Sequence, residues 1–405
     1  MARRRPLEGI RVADFTWVWA GPFCTLQLAH LGAEVIRVET AGRTCVTRLL
    51  PPWANGEFGP NRSGYFNQYN QGKLSLSLDL KQPEALKVAK ELVAKSDIVC
   101  ENFAAGVMDR LGLGYEALRA VRQDVIMIAL SGYGASGPES EFVSYGPAQV
   151  PLSGMSSLTG YADWPPMHVG ISYGDPNGGL HGAFAVLAAL LHRARTGEGQ
   201  YVDLSQQETT IAVIAEGVLA QSMTGASPAR DGNRDPQMAP HGNFRCSGEQ
   251  EWVSIAVRDD GEWKGFAEAI GQPTLASDPR FKTLAGRKAN EDALEAVVSQ
   301  WTADKTPKEV TTALQARNIP AFPCMTNKDL ATDPHLLGRD FFVELEHPEV
   351  GKRQHIGIPW KLHGTPLEVR RPAPCQGQHT DSVLRDILGY SVAEVERLRQ
   401  AGVLA

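Results

Sequence analysis

The 405-residue sequence has only six cysteines, Cys24, Cys45, Cys100, Cys246, Cys324 and Cys375, with no C-x-x-C pair and no paired-histidine spacing. That scatter excludes a zinc site or a disulfide frame, so no metal is expected and the thiols read as reduced, in a cytoplasmic protein. Positive charge is not in excess either. With 40 Lys and Arg against 46 Asp and Glu, the net charge of −6 excludes a general nucleic-acid binder, whose domain would be basic. Long apolar runs are missing: Ala183 to Leu191 is the longest and is far too short to cross a bilayer, so no membrane partner is expected. Residues 3–5 are arginines, but the apolar core of a secretory signal does not follow them.

What is present is an ordinary globular composition, 42% hydrophobic and 21% charged, in a chain long enough for two domains. Ile10–Phe15 reads as a strand, Gly21–Leu31 as a helix opened by Gly-Pro, and Glu34–Glu39 as a second strand, together a βαβ unit. The turn between them, Thr16-Trp17-Val18-Trp19-Ala20-Gly21-Pro22, lacks G-x-G-x-x-G, and two tryptophans would crowd a pyrophosphate. A dinucleotide site with Glu39 on a ribose is therefore disfavoured. Residues 41–72 form a loop long enough to carry function. Strand and helix alternation then resumes with Leu74–Leu78, Pro83–Lys95, Asp97–Glu101, Asp124–Leu130 and Gln200–Leu204. An α/β fold with an open, parallel, Rossmann-like sheet follows, binding its ligand beyond the strands' carboxyl ends. A linker begins at Gly225, and Trp252–Val257 opens a smaller α/β domain with helices at Glu262–Ile270, Asn290–Trp301 and Pro307–Arg317. The expected division is 1–224, the larger domain; 225–328, linker and smaller domain; and 329–405, a return into the larger domain with two terminal helices, at Ser382–Leu388 and Val392–Ala401.

The segment Gly174-Asp175-Pro176-Asn177-Gly178-Gly179-Leu180-His181-Gly182 precedes an Ala/Leu-rich helix. Asp175 before Pro176 has the pattern of an N-cap followed by proline at the first helical position. A cap leaves Gly178, Gly179 and Gly182 unexplained, since glycine in a helix costs roughly 1 kcal/mol relative to alanine. Close approach of a ligand or of another backbone would account for them. A carboxylate at such a helix start can act as a nucleophile as well as a cap.

Taken in order, Leu7–Val12 to Ala20-Gly21-Pro22, Leu31–Glu39, Glu101-Asn102-Phe103, Ser131-Gly132-Tyr133-Gly134, Gly174-Asp175, Leu191-His192-Arg193 to Thr196–Gln200 and Gly377-Gln378-His379-Thr380 resemble the class III CoA-transferase (CaiB/BaiF) family over nearly the whole chain. The resemblance implies a two-domain α/β chain whose subunits interlock as a dimer. It also implies an enzyme that moves CoA from an acyl-CoA donor, such as succinyl-CoA, to a free carboxylic acid. Coenzyme A is then part of the substrate, with no permanently bound cofactor. The family's nucleophilic aspartate falls on Asp175, which would pass through a mixed anhydride and an aspartyl-CoA thioester. Gly178 and Gly179 are inferred to offer amides to the developing oxyanion, and Tyr145 matches an active-site tyrosine. CoA contacts match Trp19, Ala20, Thr40, Asn70, Gln71, Gly72, Lys73, Asn102, Phe103, Ala104 and Arg110, with Lys73 and Arg110 candidates for the phosphates.

Three alternatives frame this expectation. Racemases of the family carry Gly-His-Asp where this chain has Ser144-Tyr145-Gly146, so an α-methylacyl-CoA racemase would lack one of its two bases here, unless His181 replaced it. Oxalate-specific members carry a glutamate where Gly146 stands, which speaks against oxalate or formate. A heteromer with a related subunit is the third possibility, in place of a homodimer. Trp17, Trp19, Tyr161, Trp164 and Met167 fall in loops near the expected site and point to a bulky or aromatic acceptor such as an arylsuccinate.

Overall fold

The computed structural model describes residues 5–404; the first two arginines of the 3–5 cluster, and with them most of the segment read for a leader, lie outside the described residues. Six strands form one parallel sheet: β1 (Arg11–Asp14), β2 (Glu34–Glu39), β3 (Leu74–Ser77), β4 (Ile98–Glu101), β5 (Ile126–Ser131) and β6 (Tyr201–Ser205). Their order is β3-β2-β1-β4-β5-β6, so the chain reverses its direction of growth between β1 and β4. In such sheets the crevice beyond the carboxyl ends of the two central strands is where a ligand fits. β5 is buried at every position, as its unbroken Ile-Met-Ile-Ala-Leu run requires of a strand covered on both faces.

The covering helices follow the same logic. Helix Pro83–Ala94 starts with proline at its first turn and turns a buried stripe of Ala85, Val88, Ala89, Leu92 and Val93 to one face of the sheet. On the other face, Cys24, Leu28, Ala183, Val186 and Ala189 come from helices Ala20–His30 and Gly174–Thr196. The tail closes the β3 edge. Gly377 N–H donates to Ser75 Oγ at 2.7 Å, His379 N–H to the Ser75 carbonyl at 2.9 Å, and the Ser77 N–H to Thr380 Oγ1 at 3.0 Å.

The chain divides into two compact units, one of residues 1–157, 168–227 and 337–405, the other of residues 158–167 and 228–336. The excursion Leu158–Met167 into the smaller unit is not announced by any sequence signal. The smaller unit holds a three-stranded sheet, β7 (His241–Arg245), β8 (Trp252–Ala256) and β9 (Ala321–Pro323), with its own core around Trp263, Phe266, Phe281 and Leu294. β7 begins inside the stretch expected to be a linker, Gly225–Gly242, and takes its last two residues into the sheet. The return segment adds a hairpin, β10 (Phe342–His347) and β11 (Gly351–Ile356), before the terminal helix Val392–Gln400, which Ser391 and Glu394 cap reciprocally. No helix among the described residues is long and apolar enough to cross a membrane.

Candidate active site

Asp175 sits in the first turn of its helix, two residues after the N-cap residue Tyr173, whose own side chain makes no cap hydrogen bond. The capping expectation is thereby corrected: the N-cap residue is Tyr173, and proline at the third helical position has no amide to lose. The backbone N–H of Ala20, the first residue of helix Ala20–His30, is within hydrogen-bonding reach of the Asp175 carboxylate. It is 6% exposed, and burial pushes its pKa from 3.8 up to about 7, with the Ala20 amide pulling the other way.

The glycines around it have mechanical explanations. A Cβ on Gly179 would lie 2.7 Å from the Ala20 carbonyl oxygen, and one on Gly182 would lie 2.7 Å from Leu130 Cδ2. The helix that carries Asp175 can thus approach helix Ala20–His30 and the sheet closely enough for Ala20 to reach the carboxylate. Gly178, whose Cβ would meet Gln206 Cγ at 3.0 Å, does the same on the other side. Both glycines lie in the second turn, where helix amides bond back to the preceding turn. The expected oxyanion role of Gly178 and Gly179 is replaced by close backbone packing, and the amide that meets the carboxylate is that of Ala20. Gly146 is a different case. A Cβ there would stand 1.6 Å from Asp175 Oδ2, so the carboxylate occupies the space that any side chain at 146 would need.

A chamber of about 150 Å³ opens beside Asp175, walled by Val18, Asn102, Phe103, Ala104, Tyr133, Phe142, Tyr145 and Gln206 among others. No lysine, arginine or histidine is among the described residues that line it. Two polar atoms on its walls, Ser131 Oγ and Gln206 Oε1, are buried without a hydrogen-bond partner, which marks them as able to receive a polar ligand. Tyr65, on the short helix Gly64–Tyr69, also stands within electrostatic reach of Asp175: burial raises its phenol pKa first, and the nearby carboxylate raises it further.

On the far side of Phe103 and Ala104, which line both spaces, lies a larger cleft of about 440 Å³. Its walls include Phe15, Trp17, Val38, Thr40, Gly42, Arg43, Leu78, Lys81, Val107 and Leu111. The Arg43 guanidinium lies over the Trp17 ring, 5.0 Å from its centroid, and Trp17 and Phe103 are 6.4 Å apart. Glu39 and Asp79 also line it, beside Arg43 and Lys81; the apolar walls suit a planar base and the two cations its phosphates. Sequence reasoning missed Arg43 and Lys81. The only signal for Arg43 was the length of the 41–72 loop.

Of the expected CoA contacts, Thr40, Asn102, Phe103 and Ala104 line these spaces, and Ala20 reaches Asp175. Arg110 is exposed on helix Val107–Arg110, beside the cleft residues Val107 and Leu111. Lys73 is corrected. It is fully buried, its Nζ 3.3 Å from Asp14 Oδ2, 3.0 Å from the Pro22 carbonyl and 3.0 Å from Asn70 Oδ1. Burial draws its pKa down to about 8 against the pull of Asp14, and none of its donors is left for a phosphate. Asn70 and Gln71 are equally buried, Asn70 against Arg37 and the Phe66 carbonyl and Gln71 against His30. Gly72 is a positive-φ turn that packs beside Ala29. Trp19 is 6% exposed, packs edge-on against Tyr65 and tilted against Tyr69, and does not line the chamber. Tyr161 and Trp164 pair at 5.3 Å in the smaller unit.

Glu101, just before Asn102, is a second buried acid: burial lifts its pKa to about 7, while the Phe103 N–H, 2.7 Å from Oε2, opposes the rise.

Comparison with known proteins extends over the same residues. The profile of CoA-transferase family III matches residues 7–380. The succinyl-CoA:D-citramalate CoA-transferase of Chloroflexus aurantiacus is 32% identical, over 99% of this chain and 98% of its own. The formyl-CoA:oxalate CoA-transferase of Afipia carboxidovorans is 32% identical, over 99% and 98%. A CaiB/BaiF family protein from Brucella suis superposes with a TM-score of 0.86 at 30% identity, over 95% of this chain and 99% of its own. With the switch-point crevice, the buried aspartate and a full-length match in agreement, the chain belongs to CoA-transferase family III, the CaiB/BaiF family, and is a CoA-transferase.

Proposed function

We propose that Asp175 is the covalent carrier and that the chain transfers CoA from succinyl-CoA to a carboxylic acid with an apolar or aromatic body. The observation that carries this is the Asp175 carboxylate, almost fully buried at the wall of a chamber and held by a single amide. Above its raised pKa it is an ion poorly solvated by water, hence a stronger nucleophile than a carboxylate in solution.

A carboxylate oxygen attacks the thioester carbonyl carbon; the C–S bond breaks, CoA leaves as thiolate, and a mixed anhydride forms. The thiolate then attacks the carboxyl carbon of Asp175, releasing the donor acid and leaving an aspartyl-CoA thioester. The acceptor carboxylate attacks that same carbon, expelling thiolate and giving the second anhydride. Thiolate attack on the acceptor's acyl carbon frees the new acyl-CoA and restores Asp175. Every step exchanges one bond for another, with no net proton, electron or metal required. The chamber's aromatic walls support an acyl body of about a single ring or a five-carbon chain, and with no lysine or arginine on those walls the second carboxylate of a succinyl or arylsuccinyl group would be met by neutral donors such as the Ser131 hydroxyl. The cleft around Trp17, Arg43 and Lys81 supports the nucleotide end of CoA, with Arg110 at its side.

The chamber offers no histidine as a second base, which weighs against racemisation. Side chains such as Phe184, 74% exposed, and Met223, 81% exposed, support burial against a second copy in a homodimer. The six free cysteines suit the cytoplasm.

The test is incubation of the purified chain with succinyl-CoA and single acids, reading new acyl-CoA masses, beside Asp175→Ala. We expect arylsuccinates or branched acids to be loaded, oxalate to be left, and the alanine variant to be inactive. Loading confined to short unbranched dicarboxylates would refute the acceptor class, and an active Asp175→Ala would refute the carrier. A monomer needing a second gene product for activity would replace the homodimer with a heteromer.

A further inference from the structure

We infer that Asn102 is a positioning residue for the transfer reaction: its side-chain amide locks the turn Trp17–Ala20 so that the Ala20 N–H stays on the Asp175 carboxylate. This rests on Asp175 being the carrier.

Both ends of the Asn102 side-chain amide are engaged by the backbone of one residue, Trp17. Its Oδ1 accepts the Trp17 N–H at 2.6 Å and its Nδ2 donates to the Trp17 carbonyl at 2.8 Å. This pair spans the switch point, joining the exit of β4 to the exit of β1. The next residue explains why a double bond is needed there. Val18 has φ of 60°, a left-handed conformation that a β-branched residue enters only when its surroundings impose it. Its N–H is held by the Cys45 thiol at 3.4 Å, and its side chain lines the chamber.

The turn is also fixed at its other end. Thr16 N–H bonds to Asp14 Oδ1 at 2.9 Å, and a Cβ on Gly21 would stand 2.4 Å from Thr16 Cβ and 3.0 Å from Asn102 Cγ, so glycine there lets the turn close on Thr16 with Asn102 beside it. Two residues beyond Val18, the Ala20 N–H is the hydrogen bond that favours ionised Asp175. If the Trp17 clamp is removed, Val18 can relax, and the peptide that presents Ala20 rotates. The other titratable groups around this site are Glu101, next to Asn102, the Cys45 thiol behind Val18, and the phenols of Tyr65, Tyr133 and Tyr145. Burial lifts the Glu101 carboxyl to about 7, so a parallel set of variants carries Glu101→Gln and the midpoint read there is that of Asp175. Phenols ordinarily ionise near pH 10, above the range tested here.

The experiment uses the full chain as wild type, Asn102→Ala, Val18→Gly and the double variant. It reads kcat, KM for the acyl-CoA donor, the pH midpoint of the acid limb of kcat, and the melting temperature. For Asn102→Ala we expect kcat to fall about 10- to 100-fold with KM within about twofold. The acid midpoint should move upward by about one pH unit, since a lost donor disfavours the carboxylate. Glycine at 18 adopts the left-handed turn without strain. In that background the loss of Asn102 should therefore cost several-fold less, and the double variant should fold even if Asn102→Ala alone does not.

A raised KM with kcat and pH midpoint unchanged would make Asn102 a CoA contact and overturn the inference. An equal cost in both backgrounds, or a melting change with no movement of the pH midpoint, would overturn it as a merely structural role. An active Asp175→Ala would instead bring down the carrier, whereas an inactive Asp175→Ala beside an unmoved Asn102→Ala pH profile would bring down this inference alone.

Discussion

Replacing Asp175 with Asn should destroy transfer and at the same time stabilise the protein, by an amount that grows with pH. Burial raises the Asp175 pKa from 3.8 to about 7 in the folded chain. Between those values the folded state holds a proton that the unfolded state has released, so stability falls as pH rises through this window and levels off above it. At about 1.4 kcal/mol per pH unit, a rise from 3.8 to about 7 costs about 4 kcal/mol once the carboxylate is ionised, and about 1.5 kcal/mol at pH 5. Asparagine has the same shape, keeps an oxygen for the Ala20 N–H and never ionises. The assay is thermal unfolding of wild type and Asp175→Asn at pH 5 and pH 8.5. At about 2 °C per kcal/mol, the variant should melt a few degrees higher at the lower pH and about 8 °C higher at the upper. Glu101 titrates over the same range in both proteins and cancels in the comparison. An advantage that is the same at both pH values, or an asparagine variant that is less stable at pH 8.5, would refute the placement of an ionised carboxylate in a desolvated site.

Gly146→Ala should leave the protein folded and lower kcat by at least about 100-fold, because the added carbon would stand 1.6 Å from Asp175 Oδ2 and must displace it; steady-state kinetics with a circular-dichroism control reads this. Lys73→Met should cost about 3–5 kcal/mol in chemical denaturation by leaving Asp14 charged and unpaired in the core. A stable Lys73→Met enzyme with a raised KM for acyl-CoA would return Lys73 to the phosphates. Arg43→Ala should raise KM for the donor about 10-fold with kcat little changed, the loss of one charge-assisted contact, and an unchanged KM would remove the nucleotide end of CoA from the Trp17 cleft.

The fold was legible because strands buried on both faces leave apolar runs such as Ile126–Leu130, and Glu34–Glu39, although it carries Arg37, has the same bounds in sequence and structure. Asp175 was legible as a special residue from its glycine-rich setting and its resemblance, although its local role was not. Whether glycines serve a ligand or a neighbouring helix depends on what lies across from them, and the partner of Gly179, the Ala20 carbonyl, is about 160 residues away in the chain. Lys73 illustrates the same limit: its counter-ion Asp14 lies at the end of β1, far away in the chain, so nothing local distinguishes a buried lysine from a phosphate ligand. The left-handed Val18 had no signal at all, since turns that need positive φ ordinarily advertise themselves with glycine or asparagine.

The seam between β3 and the tail sets a timetable for synthesis. Ser75 and Ser77 wait for Gly377, His379 and Thr380, and the Asp79 N–H waits for the Val403 carbonyl. A nascent chain emerging from the ribosome therefore carries an open strand edge until residues 377–403 are made, while the smaller unit, almost contiguous at 228–336, can finish first. Shortening the carboxyl terminus by some thirty residues would leave that edge bare, and the foreseeable product is aggregate, not a lighter enzyme.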